Sequence, residues 1–170
     1  MATSNTQNES TSQQQRPGLW QTVNDRYPGS MIHNEDAVPL AKLKKPLKDC
    51  KICFVSTSGV QPKTTMPFDV VHPIGDYSFR VVPSDSDVKD LEIHQLKYPT
   101  SGANRDINVI YPIERLRELV KEKVIGSLTT NFFSFIGYNM DPNRLQTTLA
   151  EDLADAIENE APDVLLAAPA

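Results

Sequence analysis

The run Ile52-Cys53-Phe54-Val55 stops at once in Ser56-Thr57-Ser58-Gly59, and this short apolar block between turn-forming residues restricts the fold more than any other feature. With no polar residue alternating through it, the block reads as a strand buried on both faces, which requires structure above and below it. Two helical segments can supply those layers. Pro112 stands where a first helical turn tolerates it, and Ile113, Leu116, Leu119 and Val120 recur at three- and four-residue spacing through IERLRELVKEK. Further on, Asp141 as N-cap and Pro142 at the first helical position open a second helix, with Leu145, Leu149, Leu153, Ala156 and Ile157 on one face.

Other strand candidates lie between and after these helices. Residues 77–82 (YSFRVV) are closed by Pro83 and the turn residues 84–87, and residues 108–111 (NVIY) are a weaker candidate. Residues 128–136 carry Phe132, Phe133, Phe135 and Ile136 ahead of Gly137, as a strand with a preceding loop. Residues 164–168 (VLLAA) have a buried-strand pattern. Strands alternating with helices predict an α/β fold, an open and mainly parallel sheet with helices on both faces. Ligand sites in such sheets lie beyond the carboxyl ends of the strands, here residues 56–59, the Gly137 region, and Pro169 with Ala170.

Residues 1–16 are rich in Ser, Thr, Asn and Gln with almost nothing to bury, so a flexible, disordered tail is expected there. Residues 17–49 hold isolated apolar groups (Leu19, Trp20, Val23, Tyr27, Met31, Ile32) and read as a surface arm or linker, leaving residues 50–170 as the α/β domain. The chain carries 22 acidic against 17 basic residues, a net charge of -5, without a basic cluster dense enough to follow a phosphate backbone. Nucleic acid is therefore an unexpected partner. Lys42, Lys44, Lys45 and Lys48 are read as a solvated linker, since Pro46 interrupts any amphipathic membrane helix. No stretch approaches the ~18 consecutive apolar residues that cross a bilayer, and MATSNTQNESTSQQQ lacks the features of a signal peptide. With Cys50 and Cys53 as the only cysteines, a cytoplasmic, reducing location is expected.

Cys50-Lys51-Ile52-Cys53 is a C-x-x-C pair, but redox pairs of this kind open helices, whereas this one enters a strand. Residues three apart on a strand point to opposite faces, so the two thiols should diverge, with Cys53 buried and Cys50 semi-exposed. Three histidines without paired spacing leave a zinc site without ligands. His72-Pro73-Ile74-Gly75-Asp76, followed by Ser78 and Arg80, concentrates polar chemistry in a turn ahead of a strand. There His72 could transfer a proton and Arg80 could clamp a substrate carboxylate, unless Asp76 and Arg80 simply pair while His72 caps the loop. His94 and Asp106 are isolated polar residues, and Asn131 and Ser134 could offer hydrogen bonds at a pocket mouth. Gly59, Gly75, Gly126 and Gly137 form neither G-x-G-x-x-G nor a P-loop, so a nucleotide cofactor is not indicated.

Taken in order, STSGV (56–60), PFDVVHPIGDYSFRVVPSDSD (67–87), DINVIYPIERLRELVKEKVIGSL (106–128), FFSFIGY (132–138) and DVLLAAPA (163–170) resemble the glycine, sarcosine and betaine reductase selenoprotein B family, which includes the selenocysteine subunit of D-proline reductase. Where that family commonly has Gly before VIGSL, this chain has Lys123. The resemblance implies reductive cleavage of a carbon–nitrogen bond in a small amino acid or amine, by attack of a selenolate or thiolate on a substrate activated by a pyruvoyl-bearing partner subunit. A dithiol is then the ultimate electron donor. The nucleophile, selenocysteine or cysteine, is expected just after Ala170, so the reductase domain at 50–170 is expected to be incomplete, its termination either a selenocysteine UGA codon read as a stop or the mark of a fragment or a degenerate gene. The substrate-binding positions that the resemblance implies are His72, Gly75, Asp76, Ser78 and Arg80, with Asp106 and Asn108 behind them, and no cofactor or metal is expected in this chain itself. The other reading is a non-catalytic assembly or substrate-binding subunit of such a complex.

Overall fold

The computed structural model describes residues 18–26, 28 and 41–170. The expected tail at 1–16, and residues 17, 27 and 29–40 of the arm expected at 17–49, lie outside the described residues. Two units divide the chain, residues 1–38 and 39–170. The first contributes helix α1 (Leu19–Arg26), where the Gly18 amide donates to Gln21 Oε1 at 2.7 Å.

The second unit is built around strand β1 (Lys51–Ser56), whose last five residues are all buried, as expected of a strand covered on both faces. Parallel to one edge of β1 runs β7 (Val164–Ala168), in register from Ile52 opposite Val164 to Ser56 opposite Ala168. The other edge is shared by two short parallel strands. β5 (Ser127–Leu128) pairs with Lys51 and Ile52, and β6 (Asn131–Ser134) pairs with Val55 and Ser56. β3 (Arg80–Pro83) then joins β6 antiparallel, Arg80 opposite Ser134 and Pro83 opposite Asn131. The mainly parallel α/β sheet is thus present, with one antiparallel edge.

Helix α2 (Ile113–Lys121) covers one face and helix α4 (Ala150–Asn159) the other. Because side chains alternate along a strand, Phe54 and Phe132 join Tyr111, Ile113 and Leu116 on the α2 side, with Phe54 edge-on to Tyr111 at a centroid distance of 5.0 Å. Cys53, Val55 and Phe133 instead meet Leu153, Ala156 and Ile157 on the α4 side. The Asp141 N-cap is realised: its Oδ1 accepts from the Arg144 amide at 3.1 Å, and a short α3 (Pro142–Arg144) continues through a π-helical turn, Leu145–Leu149, into α4.

Several expectations are corrected. Residues 108–111 are no strand: Asp106 caps a 3-10 turn, Ile107–Val109, by accepting from the Asn108 amide at 2.9 Å, a local bond that competes with sheet pairing. The strand expected at 77–82 starts only at Arg80 and includes Pro83, tolerated because β3 is an edge strand with one side unpaired. Pro112 precedes helix α2 rather than lying in it. β7 is not buried, because it too lies at a sheet edge, and Leu165 and Leu166 are 46% and 41% exposed. Cys50 is fully buried rather than semi-exposed, packed with Ile52 and Ile125 on the α2 side. An antiparallel ribbon of β2 (Val60–Pro62) and β4 (Leu91–Ile93) was not expected, since runs of three residues carry too little periodicity to be read.

Candidate functional site

The carboxyl ends of the parallel strands meet at Thr57. Its amide donates to the Ala168 carbonyl at 3.4 Å, its Oγ1 accepts from the Ala170 amide at 2.9 Å, and the backbone of Gly137 lies against its side chain. Just beyond, the Gly59 amide donates to the Phe135 carbonyl at 3.0 Å, and Ser58 bridges Ile136. The three chain ends singled out as the ligand edge therefore converge. On the α4 side an apolar groove of about 600 Å³ opens at this edge between α4 and β7, lined by Val55, Thr57, Phe135, Leu153, Ile157 and Leu165 among others.

The antiparallel direction of β3 brings the 72–80 segment to the same edge. β6 ends at the carboxyl edge and β3 begins beside that end, so everything just before Arg80 is delivered there. The loop after β6 completes the connection. Ile136 and Gly137 touch Ser58 and Thr57, while Asn139 bridges Gly75 and the Met140 amide donates to the Ile74 carbonyl at 3.0 Å. Gly75 is required at this crossing: its φ is 100°, and a Cβ there would run into the Tyr138 carbonyl.

Within the loop, Asp76 accepts from the amides of Asp69 and Ser78, both at 2.8 Å, and from the Ser78 hydroxyl. Arg80 donates from Nε to the Met66 carbonyl at 2.7 Å, from Nη2 to the Pro67 carbonyl at 3.1 Å, and from Nη1 to Ser78 Oγ at 2.7 Å and the Phe79 carbonyl at 3.1 Å. It also stacks on Phe68 at 4.1 Å and pairs with Asp76 at 3.8 Å. Every nitrogen of the guanidinium is committed to its own loop, so the bidentate carboxylate clamp expected from its chemistry has no open face. Burial pulls the Arg80 pKa down, and the neighbouring Asp76 carboxylate opposes that. His72 is exposed, and its Nδ1 accepts from the Ile74 amide at 3.4 Å, a capping role.

The remaining candidates are distributed elsewhere. Asp106 and Asn108 bond to each other at 2.9 Å, and Asn108 also donates to Glu114 at 2.6 Å at the start of α2; these are local ties. The Asn108 amide and carboxamide hold the Asp106 carboxyl below its ordinary pKa. His94 pairs with Glu92 at 3.2 Å. Asn131 sits at the amino end of β6, where it donates to Glu160 at 2.6 Å, far from any pocket mouth at the carboxyl end. Ser134 is at the correct end but fully buried, with its hydroxyl unpartnered among the described residues. The two thiols do diverge, Cys50 to the α2 side and Cys53 to the α4 side, and burial pushes the Cys53 thiol pKa up. No cluster of His, Cys, Asp or Glu suited to a metal occurs among the described residues. Thr57 was not singled out as a side chain, although the turn that holds it, residues 56–59 after the buried strand β1, was read as part of the ligand edge.

Residues 25–169 match the family model of glycine/sarcosine/betaine reductase selenoprotein B. The chain belongs to that family. Among its relatives, D-proline reductase subunit gamma of Acetoanaerobium sticklandii is 32% identical over 122 residues, 72% of this chain and 49% of that protein. Glycine reductase complex component B subunit gamma of Symbiobacterium thermophilum is 27% identical over 134 residues, 77% of this chain and 31% of that protein. The chain thus spans half or less of the length of these relatives. No solved structure matches it. Within the family assignment, Lys123 gains a structural meaning: it ends α2 with φ at 61°, the left-handed conformation that glycine adopts without strain. No helix among the described residues is long and apolar enough to cross a membrane.

Proposed function

We propose that this chain is the substrate-facing portion of a cytoplasmic amino acid or amine reductase subunit of the selenoprotein B family. The observation that carries the reading is the delivery of the 72–80 loop, by antiparallel β3 and the loop after β6, to the carboxyl edge at Thr57. In this reading the substrate's carbon–nitrogen bond is cleaved at that edge. A selenolate or thiolate bonds to the carbon as the nitrogen leaves with the bonding pair and takes a proton. A thiolate of the dithiol donor then attacks that selenium or sulfur, and the carbon leaves with the bonding pair and is protonated. The second thiol of the donor closes the disulfide and frees the nucleophile. A pyruvoyl group on a partner subunit would supply the activation of the substrate. This chain's own residues bind and exclude water: the apolar groove beside α4 shields the edge, and His72, Gly75, Asp76 and Ser78 frame the approach, with Arg80 holding the frame and Asp106 and Asn108 supporting the start of α2.

Neither thiol reaches the edge, since Cys50 and Cys53 are both fully buried, one before β1 and one in its middle. A selenocysteine or cysteine nucleophile therefore comes from outside this stretch, from a longer product or from a partner. That observation also favours the second reading, a substrate-binding or assembly subunit without its own nucleophile. Intact mass and selenium content of the native protein separate the two: 19.0 kDa without selenium supports the binding subunit, and a larger selenium-bearing product supports the catalytic one. The reductase reading itself is tested by combining the native protein with its pyruvoyl-bearing partner and following dithiol oxidation with D-proline, glycine, sarcosine and betaine. Substrate-dependent oxidation is expected with one of them; oxidation with none would reject it.

A further inference from the structure

Strand β7 is hydrogen-bonded along one side alone. The Thr57 amide donates to the Ala168 carbonyl, which fixes the phase of the parallel ladder: Val164, Leu166 and Ala168 turn their backbone groups to β1, and Leu165 and Ala167 turn theirs away from it. No strand pairs with that outer edge among the described residues. The set of outward groups is bounded at both ends, since the Asp163 amide is used on the Lys51 carbonyl at 2.9 Å and Pro169 has no amide hydrogen. Side chains are left open on both faces. Leu165 stands beside Cys53 and lines the apolar groove next to α4, whereas Leu166 stands beside Phe54 on the α2 face, and both are over 40% exposed.

Edge strands are commonly blunted by a charge, a proline or a bulge, and VLLAA holds none of these. Its pattern is also symmetric about Leu166. A second copy laid antiparallel on β7, with a two-fold axis through Leu166 perpendicular to the sheet, sets Leu165 against Ala167 of the other copy and Ala167 against its Leu165. In both pairs the outward amides and carbonyls face each other, so each pair exchanges both of its hydrogen bonds. The same axis keeps every side chain on its own face and sets large against small: Leu165 meets Ala167, Val164 meets Ala168, and the two Leu166 side chains meet at the axis on the α2 face. A slip of one residue would face outward groups with inward ones, and a slip of two would bring Asp163 or Pro169, which have no free amide hydrogen, into the ladder. This palindrome is what selects a second copy over an unrelated strand. The two α4 helices then stand on one face, walling the joined grooves, and the two carboxyl edges point in opposite directions, both open.

We infer that β7 is the interface of a homodimer in which the sheets of two copies join edge to edge about a two-fold axis at Leu166. The inference is independent of the reductase reading. Sedimentation velocity of the native protein over a range of concentrations tests it, comparing wild type with Ala167→Pro, Leu166→Asp and the control Val124→Asp. Proline at 167 removes only an outward amide hydrogen, a change that an edge strand tolerates, so the monomer keeps its fold. Val124 is exposed too but lies near β5, on the opposite side of β1 from β7. Wild type should sediment at twice the 19.0 kDa of the chain and dissociate on dilution. Ala167→Pro breaks half of the intermolecular bonds, because the axis repeats the loss, and should weaken the dimer about 30-fold. Leu166→Asp sets two carboxylates against each other at the axis and should weaken it at least as much, while the control stays within about 2-fold. A monomeric wild type overturns the inference, as does a dimer that Ala167→Pro leaves unchanged or that the control weakens equally. Residue-resolved amide exchange of wild type decides the matter if a variant fails to fold: the Leu165 and Ala167 amides should exchange slowly in the dimer and quickly once it is diluted to monomer. Fast exchange in the dimer overturns the inference, and so does protection that persists in the monomer, since another segment would then cover β7.

Discussion

Replacing Arg80 by Lys separates a substrate clamp from a structural tether. The guanidinium makes four hydrogen bonds, to the carbonyls of Met66, Pro67 and Phe79 and to Ser78 Oγ, and its side chain is only 14% exposed. An ammonium keeps the charge and can reach one or two of these acceptors, but cannot span carbonyls on both sides of the fork. Two or three bonds are then lost, each worth about 1 kcal/mol net, and the flat stacking on Phe68 at 4.1 Å goes with them. Met66 and Pro67 are exposed, so water can satisfy their carbonyls and the loss is reduced. The expected cost is about 2 kcal/mol, a sizeable share of the ~5–15 kcal/mol by which a domain is stable. Urea unfolding followed by far-ultraviolet circular dichroism reads this as a lower midpoint at unchanged slope. A variant within about 0.5 kcal/mol of wild type that nevertheless loses substrate affinity would refute the tether argument and restore the clamp.

Lys123→Gly should stabilise the protein by about 1 kcal/mol, because glycine carries no Cβ penalty at the left-handed end of α2; an unchanged or lower melting temperature would contradict this. Gly75→Ala should cost about 2 kcal/mol or more, from the positive φ and the collision with the Tyr138 carbonyl, and should raise amide exchange in both loops that meet there. Both cysteines should resist a thiol reagent in the native protein and react together on adding urea, whereas early labelling of Cys50 alone would show the amino end of β1 to be open. Because burial raises the Cys53 pKa, its contribution to stability is complete below the thiol's ordinary pKa and is lost as pH rises from there toward the folded value; stability should fall over that alkaline range, and Cys53→Ala should flatten the fall.

The elements legible beforehand were those whose signals are local and long enough to repeat. β1 announced itself by an uninterrupted apolar run, α2 by its spacing, and the helix after Asp141 by a cap and proline in sequence. The NVIY segment misled because its composition suits a strand, while the Asp106 side chain offers the backbone a nearer partner. β7 misled for a different reason. VLLAA has the composition of a central strand, and nothing within five residues states whether a neighbour will stand on both sides. The site loop was found by its density of polar residues, but those same residues proved to be bonded to one another, which composition does not reveal.

By itself, the sequence determined the α/β class, the central buried strand, the two covering helices, the opposite-facing thiols and the membership in a reductase family. Each depends on periodicities and motifs carried by neighbours in the chain. Only the tertiary structure decided the direction of β3, which brings the 72–80 loop to Thr57, and the inward use of Arg80. Those depend on pairings between residues 50 or more apart, such as Arg80 with Ser134 and Thr57 with Ala170, whose energies exist only once the chain has closed on itself.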